Sequence, residues 1–110
     1  MSDKIRLALV GCGGMAGAHL NAYSELKRRG LDFFEIVSLC DPATEQAGEF
    51  AERVAEFQPD LTPSVYACLD EMLEKETLQA VDTNTPHHLH HTIAGRCLEA
   101  GLDVMVEKPL

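Results

Sequence analysis

Apolar residues arrive along this chain in short blocks separated by amphipathic stretches. Ile5 to Val10 is apolar apart from Arg6, the pattern of a strand covered on both faces. From Met15 to Arg29 the period changes. Met15, Ala18, Ala22 and Leu26 form one stripe at helical spacing, and Lys27, Arg28 and Arg29 suit the negative end of a helix. Gly30 follows as a C-terminal cap. Phe34 to Cys40 predicts a second strand. Asp41-Pro42 opens a second helix, with Pro42 in a tolerated first-turn position. Ala43, Ala47, Phe50, Ala51, Val54 and Phe57 then recur three or four apart. Gln58 to Pro63 is a loop with two prolines, and Ser64 to Ala67 a short strand. Asp70 to Glu76 is a short acidic helix, and Gln79 to Thr83 a strand that unusually carries Asp82. Thr85-Pro86 starts a helix that runs to about Ala100 and stops at Gly101, and Asp103 to Val106 is the last strand.

The order β-α-β-α-β-α-β-α-β implies an α/β fold: a parallel sheet with helices on both faces. Its 110 residues allow one domain, 1–110, with one core. In such sheets ligands bind beyond the carboxyl ends of the strands. That edge carries the Gly11 to Gly17 loop, Asp41, Asn84-Thr85-Pro86 and Glu107-Lys108-Pro109. Charge narrows the partners. Eighteen acidic residues against nine basic give a net charge of −9, which argues against nucleic acid and against anionic membrane surfaces. The apolar run Leu7 to Val10 is too short for a signal peptide or a membrane span, so a cytoplasmic protein is expected. Cys12, Cys40, Cys68 and Cys97 form no C-x-x-C pair and read as buried free thiols.

The glycine turn carries the chemistry. Gly11, Gly13 and Ala16 satisfy Gly-x-Gly-x-x-Gly/Ala directly after a predicted strand and before a predicted helix, the context of a Rossmann-type dinucleotide site. Gly11 permits the tight turn, Gly13 lets backbone approach a pyrophosphate, and Ala16 lets helix pack on strand. Gly11 to Gly17 holds no Ser, Thr, Asp or Asn, so the helix lacks a side-chain N-cap, as expected where a phosphate takes that place. Asp41, at the end of the second strand, is placed to accept hydrogen bonds from adenosine ribose hydroxyls and to repel a 2′-phosphate. No Lys or Arg lies between it and Arg53, which favours NAD over NADP. A competing reading makes Asp41 only the cap of the second helix. His87 and His91 sit four apart, but no acidic partner lies suitably between them and the helix N-terminus disfavours a cation, so no metal is expected. Lys108, on the ligand edge, is suited to bind a substrate hydroxyl and ease its deprotonation.

These pieces together resemble the glucose–fructose oxidoreductase and inositol dehydrogenase family, Gfo/Idh/MocA. The matching residues are Val10-Gly11-Cys12-Gly13-Gly14-Met15-Ala16-Gly17-Ala18-His19, Cys40-Asp41, Thr85-Pro86 with His90, Ala100-Gly101, and Val106-Glu107-Lys108-Pro109-Leu110. The resemblance implies an NAD(P)-dependent oxidoreductase acting on a carbon–oxygen bond of a sugar-like or cyclitol substrate. It implies that Gly11, Gly13, Gly14 and Met15 cradle the pyrophosphate and that Asp41 holds the adenosine ribose. Asn84 and Thr85 would line the adenosine side, His87, His90 and Glu107 the nicotinamide half, and Lys108 the substrate. Two positions depart from the pattern. His87 stands where relatives often have Asn, and Asn84 where many have a small apolar residue. The resemblance also implies a C-terminal α/β substrate domain after Leu110 that supplies the acid–base partner and makes a homo-oligomer. Two other readings of the glycine turn stay open: a stand-alone NAD-binding regulatory module, and a methyltransferase using S-adenosylmethionine.

Overall fold

A computed structural model describes residues 4–12, 16–84 and 90–106. In chain order the elements are β1 (Ile5–Val10), α1 (Ala16–Arg28), β2 (Phe34–Cys40), α2 (Thr44–Phe57), β3 (Ser64–Tyr66), α3 (Leu69–Lys75), β4 (Ala80–Thr83), α4 (His90–Glu99) and β5 (Asp103–Val106). All strand pairs are parallel, and the sheet order is β3-β2-β1-β4-β5. The chain moves outward from β1 to β3, crosses back, and moves outward again through β4 to β5. The reversal lies between β1 and β4, where parallel α/β sheets open a crevice at their carboxyl edge.

Two apolar layers sandwich the sheet. On one face Leu7, Leu9, Ile36 and Leu39 meet Ala16 and Leu20 of α1 and Ala47, Phe50, Ala51 and Val54 of α2. On the other, Ala8, Val10, Cys40 and Val81 meet Met72 of α3 and Cys97 of α4. The register of β1 with β2 skips one residue, pairing Leu7 with Ile36 but Ala8 with Ser38. That extra residue lets both Ile36 and Leu39 face the same layer, which strict alternation forbids.

The predicted stripe on α1 is corrected by the structure. Ala18 and Ala22 are exposed, and the helix instead buries Ala16 and Leu20, with Tyr23 and Leu26 half-buried behind them. Alanine tolerates either side of a helix, so it marks a buried face poorly; Leu20 and Tyr23 define the face by size. Met15 lies outside the described residues. The start of α2 also differs. Pro42 precedes the helix, Ala43 is its N-cap without a side-chain bond, and the first helical residue is Thr44.

Both α1 and α4 end in the same way. Gly30 has φ 82°, its N–H bonds Lys27 O, and the Leu31 N–H bonds Leu26 O. Gly101, also at φ 82°, repeats the pattern with Leu98 and Cys97. This pairing satisfies carbonyls at the helix end and needs a left-handed residue, as the two glycines supply.

The loop after α2 contains a side chain that acts as a piece of strand. β3 is short and leaves Ile36 without a strand neighbour on that edge. Gln58, 6% exposed, fills the gap: its Oε1 accepts from Ile36 N–H at 2.8 Å, and its Nε2 donates to Ile36 O at 2.9 Å and Leu61 O at 3.0 Å. Gln58→Leu keeps the bulk but orphans these buried backbone groups, so we expect a loss of about 2–3 kcal/mol in urea unfolding. A loss below about 0.5 kcal/mol would show that water replaces the amide at no cost.

Candidate cofactor site at the carboxyl edge

Three strand ends converge at the reversal. The ladder continues past each strand: Gly11 N–H bonds Cys40 O at 2.8 Å, Asp41 N–H bonds Tyr66 O at 3.0 Å, and Asn84 N–H bonds Val10 O at 2.7 Å. These bonds fix Gly11, Asp41 and Asn84 side by side along one edge. Gly11 is buried with φ 91°, a conformation that strains any residue with a Cβ. The left-handed backbone expected of Gly11 is therefore present, and Gly13 and Gly14 lie outside the described residues. Ala16, fully buried, packs the beginning of α1 onto the sheet, and the first turn of α1 carries no acidic side chain. An anion at that helix end meets no carboxylate from the helix itself.

Asp41 is the charged group of this edge. Its Oδ2 accepts from the Cys12 N–H at 2.7 Å and its Oδ1 from the Ala43 N–H at 2.8 Å. The carboxylate thus ties the glycine turn after β1 to the approach of α2. It is not the N-cap of α2, which is Ala43. A carboxylate accepts about four hydrogen bonds, so lone pairs remain on both oxygens for ribose hydroxyls. Cys12 and Cys40 are buried nearby, in the two opposite layers of the core. Burial, then the Asp41 charge and the neighbouring thiol, push the Cys12 thiol up to about 12. Burial is also the main cause that lifts Cys40 to about 11. Both stay protonated at neutral pH and serve as small apolar filler. All four cysteines are free; Cys12, Cys40 and Cys97 are buried as expected, whereas Cys68 is exposed at the start of α3.

Asp82 of β4 is 1% exposed, and three side chains donate to it. The Tyr23 hydroxyl lies 2.6 Å from Oδ2, His19 Nδ1 lies 2.8 Å from Oδ2 and 3.0 Å from Oδ1, and Asn84 Nδ2 lies 3.1 Å from Oδ1. Burial first, then the bond and charge of Asp82, raise the Tyr23 hydroxyl well above the usual phenol range, so it remains a donor. This cluster links the first and second turns of α1 to the end of β4. The sequence marked Asp82 only as an oddity in an apolar strand. Its two partners on α1 lie 59 and 63 residues away and have no local signal.

The other expected site residues fall as follows. Gly13, Gly14, Met15, Thr85, His87, Glu107 and Lys108 lie outside the described residues. His90 begins α4, and its side chain lies outside what is described. Among the described residues no cluster of three or more His, Cys, Asp or Glu could hold a metal, and no helix is long and apolar enough to cross a membrane.

The chain matches known proteins along nearly its whole length. Residues 5–110 match the GFO_IDH_MocA family, described as an oxidoreductase family with an NAD-binding Rossmann fold. The chain is 32% identical over 106 residues, 96% of its length, to a 4-carboxy-2-hydroxymuconate-6-semialdehyde dehydrogenase of a Sphingobium species. Among solved structures it resembles the WlbA dehydrogenase from Chromobacterium violaceum in complex with NADH and UDP-GlcNAcA, at 34% identity, 99% coverage and a TM-score of 0.74. It also resembles GenD2 from gentamicin A biosynthesis in complex with NAD, at 29% identity, 100% coverage and a TM-score of 0.78. The chain spans 30% of the length of the first of these relatives and 28% of each of the other two. With its five parallel strands, left-handed Gly11 and Asp41 at the end of β2, the chain belongs to the Gfo/Idh/MocA oxidoreductase family and is its NAD-binding Rossmann fold.

Proposed function

We propose that this chain is the cofactor-binding part of an NAD-dependent oxidoreductase that moves hydride between nicotinamide and an alcohol or carbonyl carbon of a sugar-like or cyclitol substrate. The observation that carries the cofactor choice is Asp41. Its carboxylate is locked to Cys12 and Ala43 and keeps lone pairs for ribose hydroxyls. Arg53 is hydrogen-bonded to Asn21 through Nη2, at 2.9 Å, and so is engaged away from Asp41. A 2′-phosphate would meet a fixed negative charge there. The relative bound to UDP-GlcNAcA supports a sugar-like substrate.

In this reading bound NAD supplies the hydride acceptor or donor. Gly11 holds the turn open, the first N–H groups of α1 face the pyrophosphate, and Asp41 orients the adenosine ribose. Lys108, two residues beyond β5 in sequence, donates a hydrogen bond to the substrate hydroxyl and eases its deprotonation as the alcohol is oxidised, the proton passing to an acid–base partner. His87, His90 and Glu107 approach the nicotinamide half, and Thr85 the adenosine side. For the whole protein, of which this chain spans about 30% in its relatives, we propose a sugar-like substrate, an acid–base partner for Lys108 and a homo-oligomer. The same reading places the protein in the cytoplasm, where its free cysteines stay reduced.

Calorimetry with NAD, NADP and S-adenosylmethionine tests this. We expect saturable binding of NAD, binding of NADP at least about tenfold weaker, a difference of about 1.4 kcal/mol, and none of S-adenosylmethionine. A folded chain that ignores NAD sinks the proposal.

A further inference from the structure

We propose that Cys68 and Cys40 form a redox-responsive thiol pair: exposed Cys68 captures a low-molecular-weight disulfide, and Cys40 then closes a Cys40–Cys68 bond that loosens the cofactor edge. The thiol pair stands on the fold, and its effect on the cofactor rests on the proposed NAD-binding role. Cys68 is exposed at the start of α3, whereas Cys12, Cys40 and Cys97 are buried, so a reagent in solution meets Cys68 first. The topology brings Cys40 beside it. Cys40 pairs with Tyr66 across β2 and β3, and the Asp41 N–H bonds Tyr66 O at 3.0 Å. Cys68 follows two residues later, between Tyr66 and Leu69, and both of these pack on the layer that holds Cys40. Paired strands run about 4.8 Å apart, and a disulfide spans Cα separations of about 4.4–6.8 Å, so a short side chain just past Tyr66 is placed to meet Cys40. Cys68 is the N-cap of α3, yet its side chain makes no cap bond, so turning the thiol breaks no hydrogen bond. After burial, the neighbour that does most to raise the Cys40 thiol is Cys68, ahead even of Asp41, the next residue in the chain.

The chemistry is a double thiol–disulfide exchange. The Cys68 sulfur attacks one sulfur of the small disulfide. A new S–S bond forms, the old one breaks, and one small thiol leaves with the Cys68 proton. The Cys40 sulfur then attacks Cys68 Sγ, and the second small thiol leaves with the Cys40 proton. Two electrons pass from the two protein thiols to the small disulfide, which is reduced to two thiols. Burial pushes the Cys40 thiol up to about 11, so Cys40 does not start the exchange and reacts only with a disulfide set beside it. In a reducing compartment such a bond is transient. Its consequence for the cofactor runs through the backbone. Cys40 O accepts from the Gly11 N–H at 2.8 Å, and Asp41 is the next residue. Drawing Cys40 toward Cys68 therefore displaces the glycine turn and the strand-end carboxylate together.

Dithiobis(nitrobenzoate), a small disulfide whose released thiolate is coloured, tests the pair on the native chain. Wild type should release about two thionitrobenzoate ions per chain, a fast one as Cys68 reacts and a slower one as Cys40 closes the bond. The slower phase should quicken about tenfold per pH unit between about pH 7 and 9, following the Cys40 thiolate. Cys68→Ser should release none, and Cys40→Ala only the first. Peptide mapping of oxidised wild type should show Cys40 joined to Cys68. Calorimetry should show the Kd for NAD raised about tenfold by closure and restored by dithiothreitol. Release of a single ion, with Cys68 left as the mixed disulfide, overturns the pair. So does a map that joins Cys68 to Cys97 or to a second chain. Both readings come from wild type, so they decide the matter whether or not Cys40→Ala folds. A Cys40–Cys68 bond that leaves NAD affinity unchanged overturns the link to the cofactor. Wild type that fails to bind NAD before oxidation removes the cofactor reading and that link with it, while the thiol count still decides the pair.

Discussion

Replacing Asp41 with alanine should weaken NAD binding by about ten- to a hundredfold and narrow the gap between NAD and NADP. The affinity term is the loss of hydrogen bonds from ribose hydroxyls to a charged acceptor, about 1.5–3 kcal/mol. The selectivity term comes from charge: a 2′-phosphate carries about two negative charges, and the carboxylate that opposes it is gone. The structure adds a complication that a ribose contact alone would not bring. Asp41 also accepts from Cys12 and Ala43, so its removal loosens the turn after β1. Asp41→Asn removes the charge and keeps one acceptor oxygen. Its NH2 is a donor, so only one of the Cys12 and Ala43 N–H bonds survives; NADP discrimination should relax while thermal stability falls by the cost of one hydrogen bond, about 1 kcal/mol. Calorimetry on both variants, with melting curves alongside, measures this. Unchanged affinity and selectivity in both would reduce Asp41 to a residue that holds the turn.

The largest expected effect on stability lies at Asp82. Asp82→Ala should lower the unfolding free energy by about 3 kcal/mol, near the lower end of what breaking a buried, hydrogen-bonded charge costs. The value sits at that end because His19 is partly exposed and regains water once the carboxylate is gone. Tyr23 does not regain it as easily, since its ring is packed against Phe34, with ring centroids 5.2 Å apart. Tyr23→Phe removes one donor and leaves the other two, so about 1–2 kcal/mol is expected. Urea unfolding of the two variants gives the ratio directly. Near-equal losses would mean that the Tyr23 bond alone carries the cluster. A loss under about 1 kcal/mol for Asp82→Ala would mean that water reaches it.

These two aspartates show how differently a residue can declare itself. Asp41 was legible because it stands at the end of the hydrophobic strand that follows the glycine turn and its helix. Asp82 stood out only as a charge in a strand that should be apolar. Two of its three donors come from a helix some 60 residues earlier in the chain, and nothing in the local pattern names them. Gln58 gave even less warning. In the sequence it begins a polar loop, yet in the fold its amide completes the edge of β2. The misplaced stripe on α1 has a related cause. Ala18 and Ala22 fit the helical period as well as Ala16 does, and only the sheet beneath the helix distinguishes them.

By itself the sequence determined the alternation of strands and helices, the glycine-terminated helix ends, the tight turn at Gly11 and the carboxylate at the end of β2. These depend on short-range effects: side-chain period, backbone sterics at glycine, and the chemistry of residues a few positions apart. The tertiary structure alone decided that Asp41 clasps the turn at Cys12, that β4 lies beside β1, and that Asp82 is fixed by α1 and in turn fixes Asn84. Those contacts join residues far apart in the chain. They exist only once the crossover has placed β4 next to β1, because the direction of a polar group is set by the neighbour it meets and not by the residues around it in sequence.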